Sequence, residues 1–109
     1  MGRIALLLSL WAARAGAEAW RALEGAALTA ALSDRKLVYD SGWQQFYASG
    51  RTLYNTGRDS WGYWEVRGDA YCSQWPPADG WDCYVLEVNG DVLRFVGSGG
   101  DITEGRYAE

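Results

Sequence analysis

The sequence predicts a mainly β domain of the α+β type: an antiparallel meander of six to seven strands, forming a curved sheet or small barrel, with one N-terminal helix. Three observations carry that prediction. From Arg35 onward, short runs rich in Trp, Tyr, Val and Thr are separated at even spacing by Gly, Asn, Asp and Ser, the pattern of strands joined by tight turns. The intervals between runs leave no room for βαβ crossovers, which need about 10–12 residues each. Ahead of the runs, Trp20, Leu23, Ala27, Leu28, Ala31 and Leu32 recur near the helical period.

The first residues have a different character. Met1-Gly2-Arg3 is a short positive start, residues 4–13 are apolar, and Ala15-Gly16-Ala17 supplies small residues. That layout predicts a secretory signal peptide over residues 1–17. The apolar run is too short to cross a bilayer, which takes about 20 helical residues. The mature chain, residues 18–109, then has no membrane span. Removing Arg3 and Arg14 with the signal leaves eight Lys and Arg against fourteen Asp and Glu, a net charge of −6. Such a charge repels nucleic acid and anionic lipid.

Within the mature domain, residues 18–34 read as the helix, weakened at Gly25 by about 1 kcal/mol relative to Ala. Its many alanines suggest close packing on a flat surface. Residues 35–109 form the β domain, with candidate strands at 36–40, 43–48, 51–56, 60–67, 70–75, 81–88, 92–97 and, more weakly, 102–107. Gly68-Asp69 ends one strong strand, and Asn89-Gly90-Asp91 is the best short hairpin signal in the chain. An aromatic residue before proline makes a cis bond somewhat more frequent, but trans bonds are expected at the Trp75-Pro76-Pro77 tip.

The stretch from Gly62 to Tyr84 is the centre of the domain. It holds both cysteines, both prolines and three of the seven tryptophans. A simple antiparallel register across the 76–80 loop sets Cys72 opposite Cys83 and Tyr71 opposite Tyr84. Directly opposed residues have Cβ atoms about 4.5–5.5 Å apart, close to disulfide spacing. A Cys72–Cys83 disulfide follows, contributing about 3 kcal/mol in the chain-entropy model. Two cysteines without histidine fall short of a zinc site, and the spacing is not that of a redox pair.

This stretch resembles small exported proteobacterial domains of unknown function. The resemblance rests on Gly62-x-Trp64-x-Val66, on Tyr71-Cys72-Ser73-x-Trp75-Pro76-Pro77 and on Trp81-x-Cys83-Tyr84. It extends less specifically over Leu23 to Phe95. It implies export, a disulfide and a β-rich domain, and it brings no catalytic residue or ligand.

The chemistry legible in the residues is sparse. Histidine is absent and Lys36 is the only lysine, which removes the commonest general bases. Glu65 and Glu87 sit mid-strand. Two carboxylates at about 5–9 Å could serve a glycosidase, whereas strand alternation sets Glu65 on the outer face beside Tyr63 and Arg67. Asp91, Ser98 and Asp101 lack calcium-loop spacing, so no metal or other cofactor is expected. The aromatics carry more. Alternation in Trp61-Gly62-Tyr63-Trp64 sends Trp64 inward with Val66, and Trp61 and Tyr63 outward. Gly62 then makes room for a ring packed across the strand. Trp61, Tyr63, Trp75 and Trp81 are the candidate ligand-binding residues, for a protein partner or a cell-envelope saccharide. The expectation is a non-enzymatic exported binding module. A carboxylate-dependent glycoside hydrolase and a purely structural envelope protein are the alternatives.

Overall fold

Alternation along the strands decides which side chains enter the interior, and the interior that results is a barrel. The computed structural model describes residues 19–109, so the predicted signal peptide lies outside the described residues. The strands are β1 (Arg21–Ala22), β2 (Arg35–Val38), β3 (Trp43–Phe46), β4 (Arg51–Asn55), β5 (Asp59–Arg67), β6 (Ala70–Gln74), β7 (Trp81–Asn89), β8 (Val92–Gly97) and β9 (Ile102–Tyr107), with helix α1 (Gly25–Leu32) between β1 and β2. Strands β2 to β9 run as an antiparallel meander, and β9 pairs back onto β2. Eight strands therefore close into a barrel, one more than the six to seven predicted, because the weaker candidate run at 102–107 forms a full strand, β9. The ring removes the exposed edges an open sheet would leave.

The ninth strand is the correction to the N-terminal prediction. Residues 18–34 are not one helix: α1 is confined to Gly25–Leu32. Arg21 and Ala22 pair instead with Val88 and Glu87 on β7. The reason lies in β7, which spans Trp81–Asn89 while β6 covers only its residues 81–84. Beyond that point the β7 edge has unpaired backbone groups, and β1 satisfies them. Trp20 consequently leaves the helical stripe, and the Arg94 guanidinium lies over its ring at 4.0 Å.

The short helix owes its place to packing, since a helix of this length is marginal alone. Leu28 and Leu32, one turn apart, are wholly buried, and Leu23 enters beside them. Ala31 packs against this core, while Ala26, Ala27 and Ala30 face solvent. The helix thus presents two leucines as a plug rather than an alanine face. The Tyr107 hydroxyl donates to the Ala31 carbonyl at 2.8 Å, and the Leu23 N–H to the Leu86 carbonyl at 2.8 Å.

Hairpin connections place successive turns at alternate ends. The plugged end carries turns 47–50, 68–69 and 90–91; the other carries 39–42, 56–58, 75–80 and 98–101. Asn89-Gly90 turns as expected, with Gly90 at φ 61°, the left-handed region glycine enters freely. The peptide bond between Pro76 and Pro77 is cis, where a trans bond was expected. Above the leucine plug lies a layer of rings. Phe46 meets Trp64 and Tyr71 edge-on at 5.8 and 5.9 Å and stacks on Phe95 at 6.3 Å.

The predicted disulfide is present between Cys72 and Cys83, in the predicted register with Tyr71 opposite Tyr84. Tyr71 and Tyr84 face the interior, so both cysteines lie on the outer wall. Cys72 is nonetheless fully covered, while Cys83 is exposed.

Candidate binding site at the open end of the barrel

The interior becomes polar above the ring layer. The Tyr39 hydroxyl donates to Gln44 Oε1 at 2.7 Å, and Gln44 Nε2 donates to Thr52 Oγ1 at 2.9 Å. Tyr71 accepts a longer bond from the same Nε2 at 3.4 Å, and the Thr52 hydroxyl donates to the Gln45 carbonyl at 2.8 Å. No buried side-chain polar atom among the described residues lacks a partner. The network forms the floor of a cavity of about 650 Å³ that opens between the four unplugged turns, within the range of small-ligand sites. Its walls are mainly Tyr39, Tyr54, Tyr84, Phe95 and Trp75, with Asp59 and Asp101 in the lining.

Burial shapes the chemistry of the tyrosines. It holds Tyr39 far above the ordinary phenol value, with Tyr71 and Tyr54 adding to the rise. Tyr71 is pushed up to about 12 by burial, against the opposing effect of hydrogen bonds from Ser73 and Gln44. Tyr84 is raised by burial and then by the negative charges of Asp82 and Asp101. A phenol whose folded value exceeds its unfolded value stabilises the fold fully below the unfolded value. That contribution is lost as pH rises from about 10 towards and through the folded values. An alkaline absorbance titration should show Tyr39 and Tyr71 ionising last, together with loss of near-ultraviolet circular dichroism. Ionisation of all seven tyrosines in one step near the free-phenol value, with the fold intact, would contradict the buried floor.

The four predicted ligand-binding residues do not gather on one surface. Trp75 shares the inward parity of Tyr71 and Ser73, and its ring enters the mouth. Its centroid is 5.9 Å from that of Tyr54, and its Nε1 donates to Ser73 Oγ at 3.2 Å. Gly62 is the complement: a Cβ there would meet the Trp75 ring at 2.5 Å and the Gln74 carbonyl oxygen at 2.6 Å. The ring packed across the glycine is thus Trp75. Trp61 and Tyr63 point outward and are 45% and 43% exposed, although Trp61 also adds to the cavity lining. Trp61 stacks on Tyr47 at 6.0 Å, with the Arg51 guanidinium over it at 4.6 Å. Trp81 lies on the same outer wall under Arg67, at 4.6 Å, and flanks a shallow depression with Tyr63 and Gln74.

The two candidate carboxylates are not brought together. Glu65 aligns with Cys72 and, through it, Cys83, so Glu87 lies two strands across and four residues along, about 15 Å away at ordinary strand spacing. Each is paired with its own arginine on the outer wall, Glu65 with Arg67 and Glu87 with Arg94, the latter at 2.7 Å. The described residues contain no group of three or more His, Cys, Asp or Glu side chains placed to hold a metal ion. None of their helices is long and apolar enough to cross a membrane.

Sequence reasoning reaches Asp101 only as a calcium ligand, and it does not single out Tyr39, Gln44, Tyr54 and Tyr84 for the site, because no motif joins them. Their common signal is parity. Gln44 stands two residues before inward Phe46, Tyr54 two after inward Thr52, and Tyr84 two before inward Leu86.

Fold and site together define a small disulfide-bonded β-barrel domain, plugged at one end and open at the other. Comparison of the chain with protein-family models, curated proteins and solved structures finds no match.

Proposed function

We propose that this is an exported, non-enzymatic binding module of the periplasm or extracellular space, and that its ligand is a cell-envelope saccharide held in the open mouth of the barrel. The observation that carries the reading is the cavity itself. It joins a tryptophan face, on which a sugar ring can stack, to hydroxyl and carboxylate groups that can hydrogen-bond sugar hydroxyls. The disulfide, the acidic mature chain and the resemblance to exported domains support the location. Against the hydrolase alternative, Glu65 and Glu87 lie far apart and each is ion-paired with an arginine on the outer wall.

A protein partner remains the second reading because of one observation, the exposure of Trp61 and Tyr63 beside Arg51. Aromatic and arginine side chains of this kind dominate protein interfaces. The two sites separate in one experiment. Fluorescence of the oxidised domain is titrated with peptidoglycan fragments, using the parent, Trp75→Ala and Trp61→Ala. A saturable change lost in Trp75→Ala and kept in Trp61→Ala is the expected result. Loss only in Trp61→Ala would move the ligand to the outer wall, and absence of any change would sink the saccharide reading.

A further inference from the structure

The aromatic side chains of this barrel fall into two populations with different electrostatic partners. On the outer wall and around the plugged end, the chain supplies its own cations. Lys36 lies over Trp43 at 4.2 Å, Arg51 over Trp61 at 4.6 Å, Arg67 over Trp81 at 4.6 Å, Arg94 over Trp20 at 4.0 Å and Arg35 over Tyr107 at 3.7 Å. Among the described residues no Lys or Arg lines the mouth, and Tyr39, Tyr54, Trp75 and Tyr84 have no cation over their rings; Trp61, which also reaches the lining, keeps its Arg51 outside it. Arg58, in the neighbouring β4–β5 turn, does not contribute to the lining.

What the mouth does contain is negative charge. Asp101 folds back so that its carboxylate occupies the place a Cβ on Gly97 would take, on the inward face of β8. Asp59 adds to the lining and accepts only a neutral donor, the Asn55 amide at 2.7 Å. Neither carboxylate belongs to an ion pair among the described residues, where Arg67–Glu65 and Arg94–Glu87 are the two found. The rise of the Tyr84 phenol, caused after burial by Asp82 and Asp101, shows that this charge is felt inside the rim.

We infer that the mouth of the barrel selects a ligand bearing an organic cation, a protonated amine or a quaternary ammonium, which enters among Tyr54, Trp75 and Tyr84 and faces Asp101 and Asp59. This rests on the reading of the mouth as the ligand site and narrows its ligand to one chemical class. Ring faces attract cations through their quadrupole, and the attraction grows where water is excluded. Within an envelope saccharide, the matching group is a free amine on a deacetylated amino sugar. An anionic group in the mouth would meet two carboxylates and no Lys or Arg of the lining, so it is disfavoured there.

The test compares ligands that differ in charge and little else. The proton–nitrogen NMR cross-peak of the Trp75 indole, assigned by its loss in Trp75→Phe, is followed at slightly acid pH. One pair of probes is the glucosamine disaccharide, protonated, and its neutral fully acetylated form. The other is choline and dimethylbutanol, its uncharged carbon isostere. In each pair the cation should bind at least about tenfold more tightly. The double variant Asp59→Asn/Asp101→Asn keeps the shape of both side chains and should lower the cation's affinity about tenfold while sparing the neutral probe. Equal binding within both pairs overturns the cation inference and leaves the mouth as a neutral ligand site. Binding of the acetylated disaccharide alone does the same. If no probe moves the Trp75 signal, while peptidoglycan fragments still perturb Trp61, both the inference and the mouth reading fail.

Discussion

Reduction of the Cys72–Cys83 disulfide lowers the stability of the domain by about 3 kcal/mol and its melting temperature by roughly 10–20 °C. The two cysteines are 11 positions apart, and the bond closes that loop in the unfolded chain, where the entropy it removes is counted. Strands β6 and β7 are already paired in the folded barrel, so little native geometry has to change when the bond is cut. Access is not limiting. Cys72 is covered, but Cys83 is exposed on the outer wall and offers a reductant a sulfur to attack without unfolding. Calorimetry with and without reductant, and on Cys72→Ser/Cys83→Ser, measures the effect. A shift near zero in both would mean that the pairing of β6 with β7 persists in the unfolded ensemble and that the bond constrains nothing further.

The loop closed by this bond carries Trp75, one wall of the mouth, which joins the stability argument to the binding one. The reduced domain should therefore also lose ligand affinity at temperatures where it remains folded, because the 75–80 turn is then held only by its strands. In the folded state Gln74 Nε2 donates to the Asp79 carbonyl at 2.7 Å across the base of this turn, and that exposed bond is a weak substitute for a covalent one.

The strands were legible because each obeys a period-two pattern interrupted by turn residues, a signal written locally. The W-G-Y-W run in β5 gave the inward place of Trp64 and the outward places of Trp61 and Tyr63. The cysteine register followed from symmetry about one loop. Closure of the barrel was not legible in the same way. It depends on β9 returning to β2, with Leu37 opposite Tyr107 and Val38 opposite Arg106, a pairing between the two ends of the meander that no local pattern encodes. The N-terminal segment was misread for a related reason. Its periodicity is genuine at Leu28 and Leu32, but Arg21 and Ala22 respond to an open edge on β7, which only the assembled sheet contains. The site suffered most. Trp75 was identified, and its inward direction was readable from parity with Tyr71. The other mouth residues are single side chains from separate strands, brought together by the closure that the sequence left undecided.

Substitution of Phe46 by alanine is the other change with a large expected effect, a loss of about 3–5 kcal/mol. Phe46 is wholly buried and lies between the two halves of the interior. Below it are the leucines that fix α1; above it is the hydroxyl and amide network under the mouth. Its ring contacts Trp64, Tyr71 and Phe95 within 6.3 Å between centroids, so alanine would open a cavity walled by three large rings that cannot collapse inward without leaving their own partners. Tyr71, one of those rings, also takes the long bond from Gln44, so the floor of the mouth would loosen with the core. For a domain of this size, whose whole margin is about 5–13 kcal/mol, the variant should unfold at much lower urea with an unchanged m-value. Phe46→Leu, which refills most of the volume, should recover the greater part. A loss below about 1 kcal/mol for Phe46→Ala would mean that the ring layer is not what separates plug from mouth, and that the polar network above it is held by the strands alone.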